Sequence, residues 1–90
     1  MNRQDIYEEA LLKWGAESQI YMLIEEMAEL TKAVCKYYRG KRTQDDVLEE
    51  MVDVEIMIEQ MKIIFDYNGR FNELKKKKLK RLHNMLLGRE

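Results

Sequence analysis

Ninety residues pass without a single proline, and the four glycines stand at only four places, Gly15, Gly40, Gly69 and Gly88. Proline and glycine are the strongest local breakers of helix and the commonest markers of tight turns. β-Branched residues are also sparse, so nothing divides the chain into short strands joined by hairpins. An all-α chain is expected, a single domain over residues 1–90, because a chain of this length encloses one core at most.

Gly15, the stretch from Gly40 to Thr43, and Asn68-Gly69 separate four helical segments. The first is expected from about Asp5 to Trp14, with Asp5 as N-cap and Glu8 completing a capping box. It reads as short and ancillary. The second is expected from about Ser18 to Tyr38, burying Ile20, Leu23, Ile24, Met27, Leu30, Thr31 and Val34 along one stripe. Gly40 ends it. Thr43 is placed to cap a third helix through about Phe65, with Asp45 and Asp46 complementing the dipole in its first turn. A fourth, from about Phe71 to Leu87, is marked by Phe71, Leu74, Leu79, Leu82, Met85 and Leu86, with Gly88 as its C-cap. Short connections favour an antiparallel bundle of about four helices. So thin a core leaves apolar faces for a second copy to cover, and a homo-oligomer, dimer or tetramer, is expected.

Sixteen basic and seventeen acidic residues nearly cancel, leaving a formal charge of -1. Neither nucleic acid nor a membrane surface is implied as a partner by that balance. No apolar run approaches a membrane span, and the amphipathic, acidic N-terminus does not read as a signal peptide. Cys35 is the only cysteine, which excludes an intrachain disulfide and a Cys-rich zinc site and suits a reducing, cytoplasmic setting. The charges are segregated: from Gln44 to Asp66 eight acids face Lys62 alone, whereas Phe71 to Glu90 carries seven bases against Glu73 and Glu90.

Most acids on a helix are solvated, so the informative ones fall where the helical period expects core. On the third helix, Glu55, Glu59, Lys62 and Asp66 share a wet arc, while Glu50 and Asp53 fall with Val54, Met57, Met61 and Ile64. Burying an unpaired carboxylate costs several kcal/mol, about the scale that a bound cation offsets. Glu50 and Asp53 are three residues apart and share one helix face; Glu26 and Glu29 repeat that spacing on the second helix. If the two helices are antiparallel neighbours, four carboxylates converge. An all-oxygen set without imidazole or thiolate favours Mg²⁺, with Mn²⁺ as the other choice.

Glu25-Glu26-Met27-Ala28-Glu29 followed by Glu50-Met51-Val52-Asp53 resembles the E-E-x-x-E, spacer, E-x-x-D signature of the MazG-like all-α nucleoside triphosphate pyrophosphohydrolases. The likeness extends over about Trp14 to Leu82, with Gln19 and the basic last helix also similar. It implies Mg²⁺-dependent hydrolysis of a ribo- or deoxyribonucleoside triphosphate between its α and β phosphates, giving a monophosphate and pyrophosphate. In that scheme Glu26, Glu29, Glu50 and Asp53 are metal ligands, and Glu25 orients or deprotonates water or supports those ligands from behind. Lys78, within the apolar stripe of the fourth helix, and Arg81 at its edge are the bases expected to meet substrate phosphates.

Blander readings compete. Glutamates at such spacing commonly line a solvated face, and Lys78 is equally well explained by snorkelling or pairing with the acidic helix. Trp14, Tyr21, Tyr37, Tyr38 and Tyr67 are expected in core or interface rather than under a base. His83 reads as a surface residue and Cys35 as a small buried hydrophobe. A non-enzymatic helical interaction protein would explain the charge segregation but not acids in an apolar arc. A di-iron carboxylate bundle wants Glu-x-x-His pairs, absent here, and there is no phosphate-binding Gly-rich loop.

Overall fold

The structure, a computed structural model, describes residues 1–66 and 68–89; Tyr67 and Glu90, both weighed above, lie outside the described residues. Four helices account for the described elements: α1 Arg3–Trp14, α2 Ala16–Tyr38, α3 Gln44–Phe65 and α4 Phe71–Leu86. The all-α expectation holds, and no strand occurs among the described residues.

Local chemistry accounts for the boundaries. Thr43 caps α3 as expected: its hydroxyl accepts from the Asp46 amide at 3.2 Å while the Asp46 carboxylate accepts from the Thr43 amide at 2.9 Å. For α1 the expected cap is corrected. Asn2, not Asp5, caps the helix, and Asp5 closes the box from the third helical position. An Asn three residues before an Asp satisfies the motif one turn earlier than an Asp before Glu8. At the end of α2, Gly40 has φ +75, so that its amide reaches Tyr37 and the Lys41 amide reaches Lys36, the paired bonds of a Schellman turn.

α2 and α3 form a long antiparallel pair, and α1 folds back against both at the end where α2 begins and α3 finishes. Gln19, Ile20, Leu23, Glu26, Leu30, Ala33 and Lys36 are the α2 residues at least partly withdrawn from solvent, so Ile20, Leu23 and Leu30 of the expected stripe are covered, whereas Ile24, Met27, Thr31 and Val34 are exposed. The contact line is thus turned by roughly a quarter of a revolution from the expected stripe, at about 100° per residue. On α3 the expected core positions Val54, Met57 and Met61 are buried, and Ile64 is half-buried.

Glu59 leaves the wet arc assigned to it. It is partly buried, because Tyr7 of α1 donates a hydrogen bond to it at 2.7 Å, and Arg3 lies 3.9 Å away. Tyr7 is itself buried, so α1 is a structural part of the core rather than an appendage. Cys35 is exposed, contrary to expectation, because it sits on the side of α2 turned away from α3. His83 is exposed, as expected.

α4 is different in kind. It is held at its first turn, where the Asp66 carboxylate accepts from the Phe71 amide at 2.9 Å and Lys62 lies 4.3 Å above the Phe71 ring. Beyond that turn it packs along none of the other helices and buries no side chain. The radius of gyration, 16.3 Å, therefore exceeds the roughly 12 Å of a compact chain this long.

Candidate metal centre

The antiparallel register of α2 and α3 sets the two acidic motifs side by side midway along the pair. Glu26 faces α3 from the contact line, and Glu50 and Asp53, one turn apart, face α2. One carboxylate oxygen from each of these three lies within 4.8 Å of the others. Glu26 and Glu50 are half-buried and Asp53 is exposed, so the cluster opens to solvent on the Asp53 side.

The electrostatics are one-sided. Burial raises the Glu26 pKa above the ordinary glutamate value, and the charges of Asp53, Glu50, Glu29 and Glu25 push it further the same way. Every charge acting on Glu26 in this account is a carboxylate. Withdrawing a carboxylate from water among like charges is unfavourable unless it is protonated or a cation joins it.

The donor set fits a hard divalent ion. Mg²⁺ binds oxygen at about 2.0–2.1 Å in an octahedron, so ligand oxygens on opposite sides stand roughly 4.2 Å apart. The three oxygens, all within 4.8 Å of one another, stand near that spacing. Three protein ligands leave positions for water or phosphate oxygens, as Mg²⁺ sites that act on nucleotides require.

The other expected site residues are distributed differently. Glu29 is exposed one turn beyond Glu26 and acts on it through charge, but it is not part of the close trio. Glu25 is exposed and lines an open groove with Trp14, Ser18, Tyr21 and Met22. Trp14, Tyr21, Tyr37 and Tyr38 are all exposed in the single chain, so none of the four lies in its core. Lys78 and Arg81 are exposed on α4, which stands off the bundle, so one chain does not bring them to the acids.

Sequence reasoning overlooked Gln60. It is buried, its amide reaching Met57 Sδ at 3.8 Å, while its carbonyl oxygen has no partner. Buried Gln19 is its counterpart on α2: two turns from Glu26 as Gln60 is two turns from Asp53, in the same antiparallel register. The signal was there, since Gln60 falls in the same arc as Asp53, Met57 and Ile64.

No family model, curated protein or solved structure matches this chain.

Proposed function

We propose that the protein is a Mg²⁺-dependent nucleoside triphosphate pyrophosphohydrolase, cytoplasmic and working as a homo-oligomer, with a role in clearing the nucleotide pool. One observation carries this reading. The two halves of the acidic signature, twenty residues apart in the chain, meet as Glu26, Glu50 and Asp53 in a cluster of hard oxygen donors.

Glu26, Glu50 and Asp53 would hold the ion, with Glu29 completing the set from the next turn of α2. A divalent cation supplies the Lewis-acid charge that phosphate oxygens need during transfer. Water attacks the α-phosphorus, the bond from that phosphorus to the bridging oxygen breaks, and pyrophosphate departs. The proton released by the attacking water passes to a carboxylate at the open edge, for which Glu25 is the exposed candidate, or Glu29 where it does not bind the ion. Lys78 and Arg81 would neutralise the leaving phosphates only if α4 is brought to an acid cluster.

The test is pyrophosphate release from each ribo- and deoxyribonucleoside triphosphate with Mg²⁺, beside Glu29→Gln. The expected result is turnover of at least one nucleotide, reduced about 100-fold or more in the variant. A folded, metal-loaded protein that hydrolyses none of them would instead favour an interaction protein.

A further inference from the structure

The acid cluster opens to one side of the helix pair, and the helical period fixes which. On α2, Met22 and Glu25 precede Glu26 by four positions and one, and Glu29 follows it by three; at about 100° per residue all three turn to the same flank of Glu26. Asp53, the exposed member of the trio, follows Glu50 by three positions on α3. In antiparallel right-handed helices an equal offset from the shared contact line turns both sets to one side of the pair. A molecule that meets the cluster from solvent therefore passes Asp53, Glu29 and Glu25.

That flank of α2 continues into the groove at the start of the helix, lined by Ser18, Tyr21, Met22 and Glu25 and, across the Gly15 junction, by Trp14. Tyr21 is one turn before Glu25 and shares its face. Trp14 is 57% exposed and Tyr21 61%, so two large rings forgo the burial that aromatic side chains normally gain. The Lys13 ammonium stands 5.4 Å from the centre of the Trp14 ring and steadies the indole from one face. Glu17 and Glu25 line the groove too, and their charges repel a polyphosphate. The groove thus suits a flat, uncharged aromatic group. Tyr21 stands five residues from Glu26, about 7.5 Å along the helix axis, a gap that one ribose spans between an α-phosphate and its base.

We infer that this groove is the nucleobase subsite. With the α-phosphate at the acid cluster, the ribose passes Glu25 and Met22, and the base stacks on Tyr21 and Trp14. The assignment rests on the catalytic reading above and extends it from the phosphates to the base. Stacking on aromatic rings tolerates every base, because each has a π face, so the groove supplies affinity more than choice among bases.

Trp14 is the only tryptophan of the chain, so its fluorescence reads the subsite directly. The probes are the α,β-methylene analogues of ATP and dTTP, which cannot release pyrophosphate, with tripolyphosphate as the base-free control, all in Mg²⁺. At least one analogue is expected to quench Trp14 saturably, and tripolyphosphate to leave it unchanged. In turnover, Tyr21→Leu and Trp14→Leu should each raise KM about fivefold or more with kcat unchanged. Tyr21→Phe should keep the native KM, as should Tyr38→Leu at the far end of α2. Circular dichroism checks that the variants fold. Absence of quenching by both analogues, equal quenching by tripolyphosphate, or a native KM in both folded leucine variants overturns the subsite. Quenching without pyrophosphate release from any nucleotide counts against the catalytic reading alone, and turnover without quenching against the subsite alone.

Discussion

The Tyr7 hydroxyl donates to Glu59 Oε2 at 2.7 Å and joins α1 to α3 across 52 positions of chain. Burial, then the hydrogen bond to Glu59 and its charge, raise the phenol pKa above 10.0. A raised acid favours the protonated native state: the stabilisation is complete below the ordinary phenol value and is lost as pH rises through the folded one. Tyr7→Phe should lower stability by about 1 kcal/mol, or roughly 4–8 °C in Tm, and flatten the alkaline fall. Thermal melts of both proteins across the alkaline range check this. An unchanged Tm would mean that the bond to Glu59 adds nothing beyond burial of the ring.

Gly15 joins α1 to α2 with φ 86 and ψ 151, a conformation reserved for glycine. A Cβ there meets nothing within 4 Å, so the cost of Gly15→Ala is one of backbone alone. About 1–3 kcal/mol of destabilisation is expected by chemical denaturation. A loss under half of that would mean that the junction adapts.

Thr43→Ala removes the cap of α3 and should cost about 1 kcal/mol. The Asp46 carboxyl is held below 3.8 by its bond from the Thr43 backbone, then by its link to the Thr43 side chain. A depressed acid stabilises the fold above the ordinary aspartate value and loses that contribution as pH falls through the folded one. Asp46→Asn should therefore flatten the acid limb of the Tm profile, and an unaltered limb would contradict the box.

The four helices and the Thr43 cap were legible because caps and breakers act over three or four residues. The contact line of α2 was not. Ile24, Met27 and Val34 form as good a stripe as Leu23, Leu30 and Ala33, and a helix with two apolar flanks does not say which one its own chain will cover. Here α3 takes the flank that includes Glu26, leaving the other side to solvent in the single chain. The same rotation explains the exposed Cys35. Glu50 and Asp53 stood out because acids interrupt an apolar arc; Glu50 is half-buried there, whereas Asp53 is exposed. Glu59 was misread because its partner, Tyr7, comes from a helix whose docking no local pattern announces.

Burial and the neighbouring carboxylates together disfavour the charged form of Glu26. Glu26→Gln removes one of the clustered charges and should raise Tm at neutral pH by a few degrees without metal, while abolishing stabilisation by Mg²⁺. A variant less stable than wild type without metal would show that the carboxylate is already satisfied by other means.

The central claim is that Glu26, Glu50 and Asp53 together bind one divalent ion, and calorimetric titration with Mn²⁺ addresses it most directly. Saturable binding is expected in the wild type, weakened about 10-fold or more in folded Glu50→Gln and Asp53→Asn. Equal heats and affinities in all three proteins, or no binding by the folded wild type, would contradict it.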